Sequence, residues 1–324
     1  MAMKICTLTG VDETTPLIEL AVIADLYPHV EWGFLYSPKR AGTPGRYPSV
    51  ERIERALTEV PKYVRMALHI CGIGVPQLLE GEPVVSRLVE QIAARGGRVQ
   101  LNFNAADGEV NLDELRLVIE SNPGVSFITQ HNPSNQRVTQ HLLALPNHAV
   151  IFDASGGRGV IPPSWPAPLA LTPCGYAGGL GPETLEVQLK LIHKAAGDAD
   201  YWVDMEGKLR DVHGRFDLRA ARNCLELTLE SMASQIPSPA DRPKRRKVET
   251  SDLVELGMIE ESNGEHEFEL MLRRLVNATS NIFDPSVVSV RRQAEDLLFR
   301  RGSSGYERPG AMDPRKTPRG PNRQ

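Results

Sequence analysis

Strand-like and helix-like segments alternate along the first 234 residues, and this alternation limits the possible folds more than any other feature. Short apolar segments typical of β-strands are followed, with one exception, by segments whose apolar residues have helical spacing. Such alternation predicts parallel βαβ units. The eight strand-like segments are residues 3–8, 30–36, 63–70, 98–103, 125–130, 149–152, 169–173 and 201–204. The helix-like segments are residues 16–26, 50–57, 84–94, 112–120, 136–144, 182–194 and 218–232.

Eight such units favour an α/β fold in which the strands close into a (β/α)8 TIM barrel. Open doubly wound sheets usually have fewer strands, and the span is close to the ~250 residues typical of the closed barrel. The exception is the sixth unit, because residues 160–168 contain four prolines. Proline breaks helices, so we expect the sixth helix to be very short or absent.

The composition changes after the barrel segment, which we place at residues 1–234. Residues 235–249 are rich in proline and charge and are predicted to be a linker. Residues 250–301 have the pattern of a helical extension, and residues 302–324 that of a disordered tail.

Bulk properties exclude several classes of protein. The net charge of −4 lacks the basic excess of nucleic-acid-binding domains. No apolar run reaches the ~18 residues of a membrane span, and the first residues have no signal-peptide pattern. The four cysteines have no metal-type spacing. We therefore expect a cytoplasmic protein with reduced cysteines and with neither a nucleic-acid nor a membrane partner, and the sequence leaves the oligomeric state open.

In a parallel barrel the active site lies at the C-terminal ends of the strands. Gly178 and Gly179 follow the seventh strand-like segment, and Gly207 follows the eighth. Glycines allow backbone N–H groups to approach an anion, and a helix beginning near Pro182 would add its positive end. This arrangement predicts a phosphate site, although a Gly-Gly pair by itself is also typical of a tight turn.

Several short motifs, in order along residues 3–230, resemble those of the phosphoribosylanthranilate isomerase family. Each motif alone is weak, but their order is fairly specific. They are Met-Lys-Ile-Cys at 3–6, Arg-Tyr-Pro-Ser at 46–49, Val-Gln-Leu at 99–101, Asp153 followed by Gly-Gly-Arg-Gly at 156–159 and Trp165, and Ala-Gly-Gly-Leu-Gly-Pro-Glu at 177–183.

The resemblance implies an Amadori rearrangement of N-(5′-phosphoribosyl)anthranilate, a step of tryptophan biosynthesis, without a cofactor or a metal. It implies that Cys6 is the general base and Asp153 the general acid. A thiolate is a competent base if its surroundings lower its pKa, and a carboxyl can be kept protonated in a partly apolar pocket.

The expected partner is a small phosphorylated sugar. Arg46 would bind the anthranilate carboxylate, with Arg40 as the alternative arginine. The other residues that we expect to bind substrate are Gly156, Gly157, Gly178, Gly179, Gly207 and His131.

Some residues depart from the family pattern and leave alternatives open. Glu206 places a negative charge beside the expected phosphate, unless Lys208, Arg210 or Arg158 compensates it. This departure suits an isomerase of another phosphosugar, or a barrel that binds a phosphosugar without turnover. A divalent-metal site is a further alternative, with ligands drawn from His69, His131, Asp153, Asp204 and Glu206.

Overall fold

The computed structural model describes residues 3–108, 110–143, 145–170 and 172–234. The linker predicted at 235–249, the helical extension at 250–301 and the disordered tail at 302–324 lie outside the described residues.

Eight parallel strands form a closed barrel, in which β1 pairs with both β2 and β8. This confirms the predicted (β/α)8 fold. The strands are β1 (Met3–Thr9), β2 (Val30–Tyr36), β3 (Arg65–Cys71), β4 (Arg98–Asn102), β5 (Ser126–His131), β6 (His148–Phe152), β7 (Cys174–Ala177) and β8 (Tyr201–Met205). The helices are α1 (Leu17–Leu26), α2 (Val50–Glu59), α3 (Gly74–Leu79), α4 (Pro83–Ala93), α5 (Leu112–Ser121), α6 (Gln136–Leu142), α7 (Leu185–Ala196) and α8 (Leu218–Ser234), with 3-10 turns at Ala105–Asp107 and Pro133–Asn135.

Polar side chains fix where several helices begin. The hydroxyl of Ser49 accepts a hydrogen bond from the backbone N–H of Arg52 at the start of α2, and Asn111 caps α5 in the same way. These caps satisfy backbone donors that have no partner in the first turn of a helix. They also set the lengths of the loops at the C-terminal ends of the strands.

The sequence prediction was wrong for two elements and correct for the sixth βα unit, where it predicted a very short or absent helix. The seventh strand lies at Cys174–Ala177, after the predicted residues 169–173, and the short helix α3 was not predicted. No helix occurs between β6 and β7 in the described part of that connection, as the prolines of residues 160–168 predicted.

Each strand presents alternate side chains to the helices and to the inside of the barrel. One part of the interior is apolar and is formed by Ile128, Ala149, Ile151 and Trp202. The part nearer β1 to β4 is polar, which is unusual because branched apolar residues dominate most barrel interiors. No helix in the described part of the chain is long and apolar enough to cross a membrane.

Candidate active site

A cavity of about 1220 Å³ opens at the C-terminal ends of the strands. Most of the residues expected to form the site line it together, but two do not. Those that line it are Arg46, Asp153, Gly156, Gly157, Gly178, Gly179 and Gly207.

Cys6 does not line the cavity. Its side chain is fully buried on the outer side of β1, where it belongs to the core between strands and helices and interacts with Cys224 and Thr228 of α8. Burial, followed by the interaction with Cys224, raises the pKa of the Cys6 thiol well above its ordinary value. A thiol that is protonated and remote from the cavity cannot serve there as a base, so the role expected for Cys6 needs correction.

His131 also lies away from the cavity. Its Nδ1 is 2.9 Å from the hydroxyl of Thr139 on α6, and its ring packs edge-on against Phe152. The neighbouring residues Gln130 and Asn132 line the cavity instead. His131 is therefore not placed to bind a ligand in this cavity, contrary to the expectation.

Asp153 lies at the end of β6 and is held rigidly by its own loop. Its Oδ1 accepts hydrogen bonds from the backbone N–H and the hydroxyl of Ser155 at 3.1 and 2.7 Å. Its Oδ2 accepts from the backbone N–H of Gly157 at 2.7 Å and from Nε2 of Gln130 at 3.1 Å. All four partners are donors and together they occupy both carboxylate oxygens, so Asp153 organises the loop after β6 at the edge of the cavity.

Asp204, near the end of β8, is the acidic group with the most perturbed protonation. Its Oδ1 accepts a hydrogen bond from the hydroxyl of Thr9 at 2.8 Å, and its Oδ2 lies 3.9 Å from Nε2 of His69. Burial raises the pKa of Asp204 to about 7, and Glu206 and Glu31 act in the same direction. Asp204 is therefore divided between its two protonation states near neutral pH.

His69, on β3, completes this group. It is almost fully buried, lines the cavity, and has Nε2 3.5 Å from the hydroxyl of Thr9. Burial lowers the pKa of His69 to about 4, so the imidazole is neutral near neutral pH. A neutral ring cannot hold the nearby Asp204 in its ionised form.

A buried ion pair lies one layer below the cavity. Nε of Arg98 donates to Oε2 of Glu31 at 2.9 Å, and the hydroxyl of Thr7 donates to Oε1 of the same carboxylate at 2.9 Å. The guanidinium also stacks 4.6 Å from the centre of the Trp202 ring. Burial alone would raise the pKa of Glu31, but Arg98 and Thr7 together bring it below its ordinary value. The charges of Arg98 and Glu31 offset each other within the pair. The Glu31 carboxylate nevertheless raises the pKa of Asp204, because it disfavours a second negative charge nearby.

The thiol that does line the cavity is that of Cys71, at the end of β3. Its Sγ lies 3.6 Å from Nδ2 of Asn102. Burial raises the pKa of Cys71 to about 11, so this thiol is protonated near neutral pH and does not replace Cys6 as a base.

Arg46 is joined to Glu206 by a two-point ion pair. Its Nη2 donates to Oε2 at 2.7 Å, and its Nε contacts Oε1. The charge of Glu206 is thus matched by Arg46, which is not one of the three cations expected to compensate it. Arg40, the alternative arginine, does not line the cavity and stacks 5.5 Å from the centre of the Tyr47 ring.

The glycines after β7 allow two loops to pack closely. Gly178 has a φ of +115°, and a methyl group there would lie 2.9 Å from the carbonyl oxygen of Val160. A methyl group at Gly181 would lie 2.2 Å from Cβ of Lys208, so the glycine makes room for the lysine stem. Within the described chain, the backbone N–H groups of Gly179 and Gly207 donate no hydrogen bond and are available to an anion.

The metal alternative finds no support in the arrangement of side chains. Among the described residues, no group of three or more His, Cys, Asp or Glu side chains is placed to hold a metal ion. Nδ1 of His131 faces Thr139 of α6, and both oxygens of Asp153 accept hydrogen bonds from its own loop or from Gln130.

Comparisons with known proteins give structural likenesses only. No family model and no curated protein matches the sequence. Phosphoribosylanthranilate isomerases are among the solved structures that the chain resembles. The TrpF structure from Jonesia denitrificans has a TM-score of 0.48 and 13% identity, with 71% of this chain and 98% of that chain covered. The enzyme from Thermus thermophilus has a TM-score of 0.47 and 15% identity over 70% of this chain and 98% of that one. The enzyme from Thermotoga maritima has a TM-score of 0.45 and 15% identity over 71% and 100%.

The sequence suggested Asp204 only as an alternative metal ligand, and His69 as a metal ligand or as a polar group that recognises the non-phosphate half of the substrate. Their side chains and that of Thr9 meet because β8, β1 and β3 place inward-facing residues at one level of the barrel. The available signal was strand parity, since residues two apart share a face of a strand. It indicates that Thr7 and Thr9 share one face of β1 and that Cys6 lies on the other face.

Proposed function

We propose that the chain is an isomerase of a phosphorylated sugar amine, with Asp204 as the group that transfers protons. The reaction would be an Amadori rearrangement, which converts an aldosylamine into an aminoketose. N-(5′-phosphoribosyl)anthranilate is the simplest member of this substrate class, and turnover of it would place the chain in tryptophan biosynthesis. The motif resemblance supports this class.

The environment of Asp204 carries the proposal. The reaction needs an acid to open the sugar ring at its oxygen and a base to remove the proton from C2 of the resulting iminium. A carboxyl with a pKa of about 7 supplies both forms at neutral pH. Its Oδ2 has no hydrogen bond among the described residues, so this oxygen is free to exchange a proton with a ligand.

The residues around Asp204 have supporting roles in this proposal. Thr9 holds Oδ1 and thereby aims Oδ2. His69 would act as a neutral neighbour that positions the carboxyl without neutralising it. Asp153, fixed by four donors, would hold the loop after β6 in the shape that lines the cavity.

The phosphate of the substrate would lie between the loops after β7 and β8. Gly179 and Gly207 line this part of the cavity, and within the described chain their N–H groups donate no hydrogen bond. Lys208 also lines it, and the described residues offer this lysine no ion pair. Backbone donors together with an unpaired ammonium are typical of phosphate sites.

The test is an assay of the full chain for loss of phosphoribosylanthranilate fluorescence. We expect Asp204→Asn to lower kcat by about 100-fold or more, the usual effect of removing a general acid or base. Cys6→Ala is the matched control and should keep kcat within about threefold, because Cys6 does not reach the cavity. Wild-type kcat should depend on a group that titrates near pH 7 and that is lost in Asp204→Asn.

Two results would reject the assigned roles. Full activity of Asp204→Asn would show that Asp204 does not transfer protons in the reaction. Inactivity of a folded Cys6→Ala variant would show that the Cys6 thiol is needed for catalysis. Binding of a reduced, non-reacting substrate analogue without turnover would support a phosphosugar-binding barrel instead. The enclosure of Asp153 within its own loop is the observation that favours this second candidate.

A further inference from the structure

The wall of the cavity formed by β3, β4 and β5 is polar but carries no charge in the described residues. Its main polar groups are the carboxamides of Gln100, Asn102, Gln130 and Asn132. The cations that line the cavity, Arg46, Arg158, Lys208 and Arg210, come from the loops after β2, β6 and β8. The two ends of a bound ligand would therefore meet different chemistry.

The orientation of two of these carboxamides follows from their partners. Nε2 of Gln130 donates to Oδ2 of Asp153 at 3.1 Å, and a carboxylate accepts but does not donate. The carbonyl oxygen of Gln130 must therefore point away from Asp153. Nε2 of Gln100 likewise donates to Oδ1 of Asn102 at 3.0 Å.

These contacts leave two acceptors without a partner. Within the described chain, Oε1 of Gln100 and Oε1 of Gln130 accept no hydrogen bond, and neither is sealed away from the cavity. A polar atom of this kind loses free energy when a ligand covers it without offering a donor. The wall therefore selects for N–H or O–H groups.

The same wall disfavours an anion. A carboxylate placed there would face the two amide oxygens and Asp153, and only uncharged amide N–H groups would be on that side to compensate its charge. Arg46 adds little net positive charge, because Glu206 binds its Nε and Nη2 and offsets its charge. Desolvating a carboxylate without a partner is costly.

We infer that the non-phosphate half of the ligand is uncharged and carries hydrogen-bond donors, such as a carboxamide, and that a carboxylate is selected against. This inference rests on the proposed function, which supplies the phosphorylated sugar amine, and it narrows the substrate class. It separates this site from one that would prefer the anthranilate carboxylate.

A pair of non-reacting ligands tests the inference directly. Reductive amination of ribose 5-phosphate with anthranilamide or with anthranilate gives two analogues that differ only in a carboxamide against a carboxylate. Titration calorimetry with the full chain should give a Kd about tenfold or more lower for the carboxamide, the equivalent of one hydrogen bond. Equal affinity, or tighter binding of the carboxylate, would overturn the inference.

Variants of one residue link the preference to the wall. Gln100→Leu removes an acceptor and should abolish most of the preference, whereas Gln100→Glu keeps acceptors and should retain or increase it. Gln140→Leu, at an exposed position on α6, is the matched control and should change neither Kd. A preference that survives Gln100→Leu and a parallel Gln130→Leu would reject the assigned acceptors.

The outcome also separates the inference from the proposed function. Tighter binding of the carboxamide without turnover of any aldosylamine would leave the inference standing and reject the isomerase. Turnover of an aldosylamine together with equal affinity for both analogues would support the isomerase and reject the inference. Failure of both analogues to bind would reject the phosphosugar site and the inference together.

Discussion

Asp204 is buried where its surroundings oppose its ionisation. Burial is the main cause of its raised pKa, Glu206 and Glu31 add to it, and Thr9 and Arg98 counteract it only in part. Ionisation of Asp204 therefore costs folding free energy that an exposed aspartate would not lose.

This cost predicts a pH-dependent effect of Asp204→Asn on stability. The pKa of Asp204 is about 7 in the folded chain and near 3.8 when unfolded, so the folded state binds the extra proton between these values. Its contribution to the free energy of unfolding is therefore lost as the pH rises from about 4 to 7. Relative to the wild type, the free energy of unfolding of Asp204→Asn should rise by up to a few kcal/mol between pH 4 and pH 8, at about 1.4 kcal/mol per pKa unit.

Urea unfolding at pH 4.5, 6 and 8 measures this difference. Asp153→Asn is the comparison, because Asp153 is similarly buried but accepts four hydrogen bonds. It should be destabilised, because an amide offers one acceptor oxygen where the carboxylate offers two. If the difference in unfolding free energy between Asp204→Asn and the wild type is the same at all three pH values, the raised pKa of Asp204 is contradicted.

The residues of the site were predictable only in part, and strand parity explains why. Strands of a parallel barrel are buried on both faces, so hydrophobicity does not reveal which face points inward. Asp153 and the glycines lie in loops, where position along the chain suffices, and they were placed correctly at the cavity. Cys6 and His131 lie within strands, and a one-residue error in facing moves a side chain to the opposite surface.

At the scale of the elements, the connection between β6 and β7 takes the place of a helix. It packs against the loop after β7, where Gly178 approaches Val160 closely. Replacing Gly178 therefore disturbs two loops of the cavity at once.

We predict that Gly178→Ala is destabilising and Gly207→Ala is not. The first change adds a methyl group 2.9 Å from a backbone oxygen at a φ of +115° and should cost about 1–3 kcal/mol. At Gly207 a methyl group meets nothing within 4 Å, so the change should stay within about 0.5 kcal/mol. Chemical denaturation of the two variants decides the matter, and similar losses at both positions would contradict the packing described here.

Most elements were predictable from apolar periodicity, and the seventh strand shows where this fails. Residues 169–173 include alternating leucines that favour a strand, but β7 begins only at Cys174, after Pro173. Proline cannot donate a hydrogen bond to a neighbouring strand, and here it stands just outside the barrel. Pairing with β6 and β8 determines which residues form β7, and the sequence alone does not show this pairing.

At the scale of the whole molecule, buried histidines set the acid limit of the fold. Burial lowers the pKa values of His29, His69 and His148 to about 4. The unfolded chain takes up these protons at about pH 6.5, so the stability that they contribute is lost as the pH falls from 6.5 to 4. Each loss is at most about 3 kcal/mol, and Asp204 opposes part of the total.

We therefore expect the chain to unfold cooperatively between pH 6 and 4 in moderate urea. His148→Gln removes one of the three titrations and keeps a partner for Thr129, which lies 2.8 Å from Nε2 of His148. This variant should lose less stability than the wild type between pH 7 and 5. The same pH dependence in both proteins would exclude His148 as a source of the acid limit.

The pairing of β1 with β8 has a consequence for synthesis of the chain. The first strand has no permanent neighbour on one side until residues 201–205 have left the ribosome. The inner face of this strand is partly polar, so it provides little hydrophobic driving force for earlier association with other strands. Closure of the ring must therefore wait for the eighth strand, which makes it a late step of folding during synthesis.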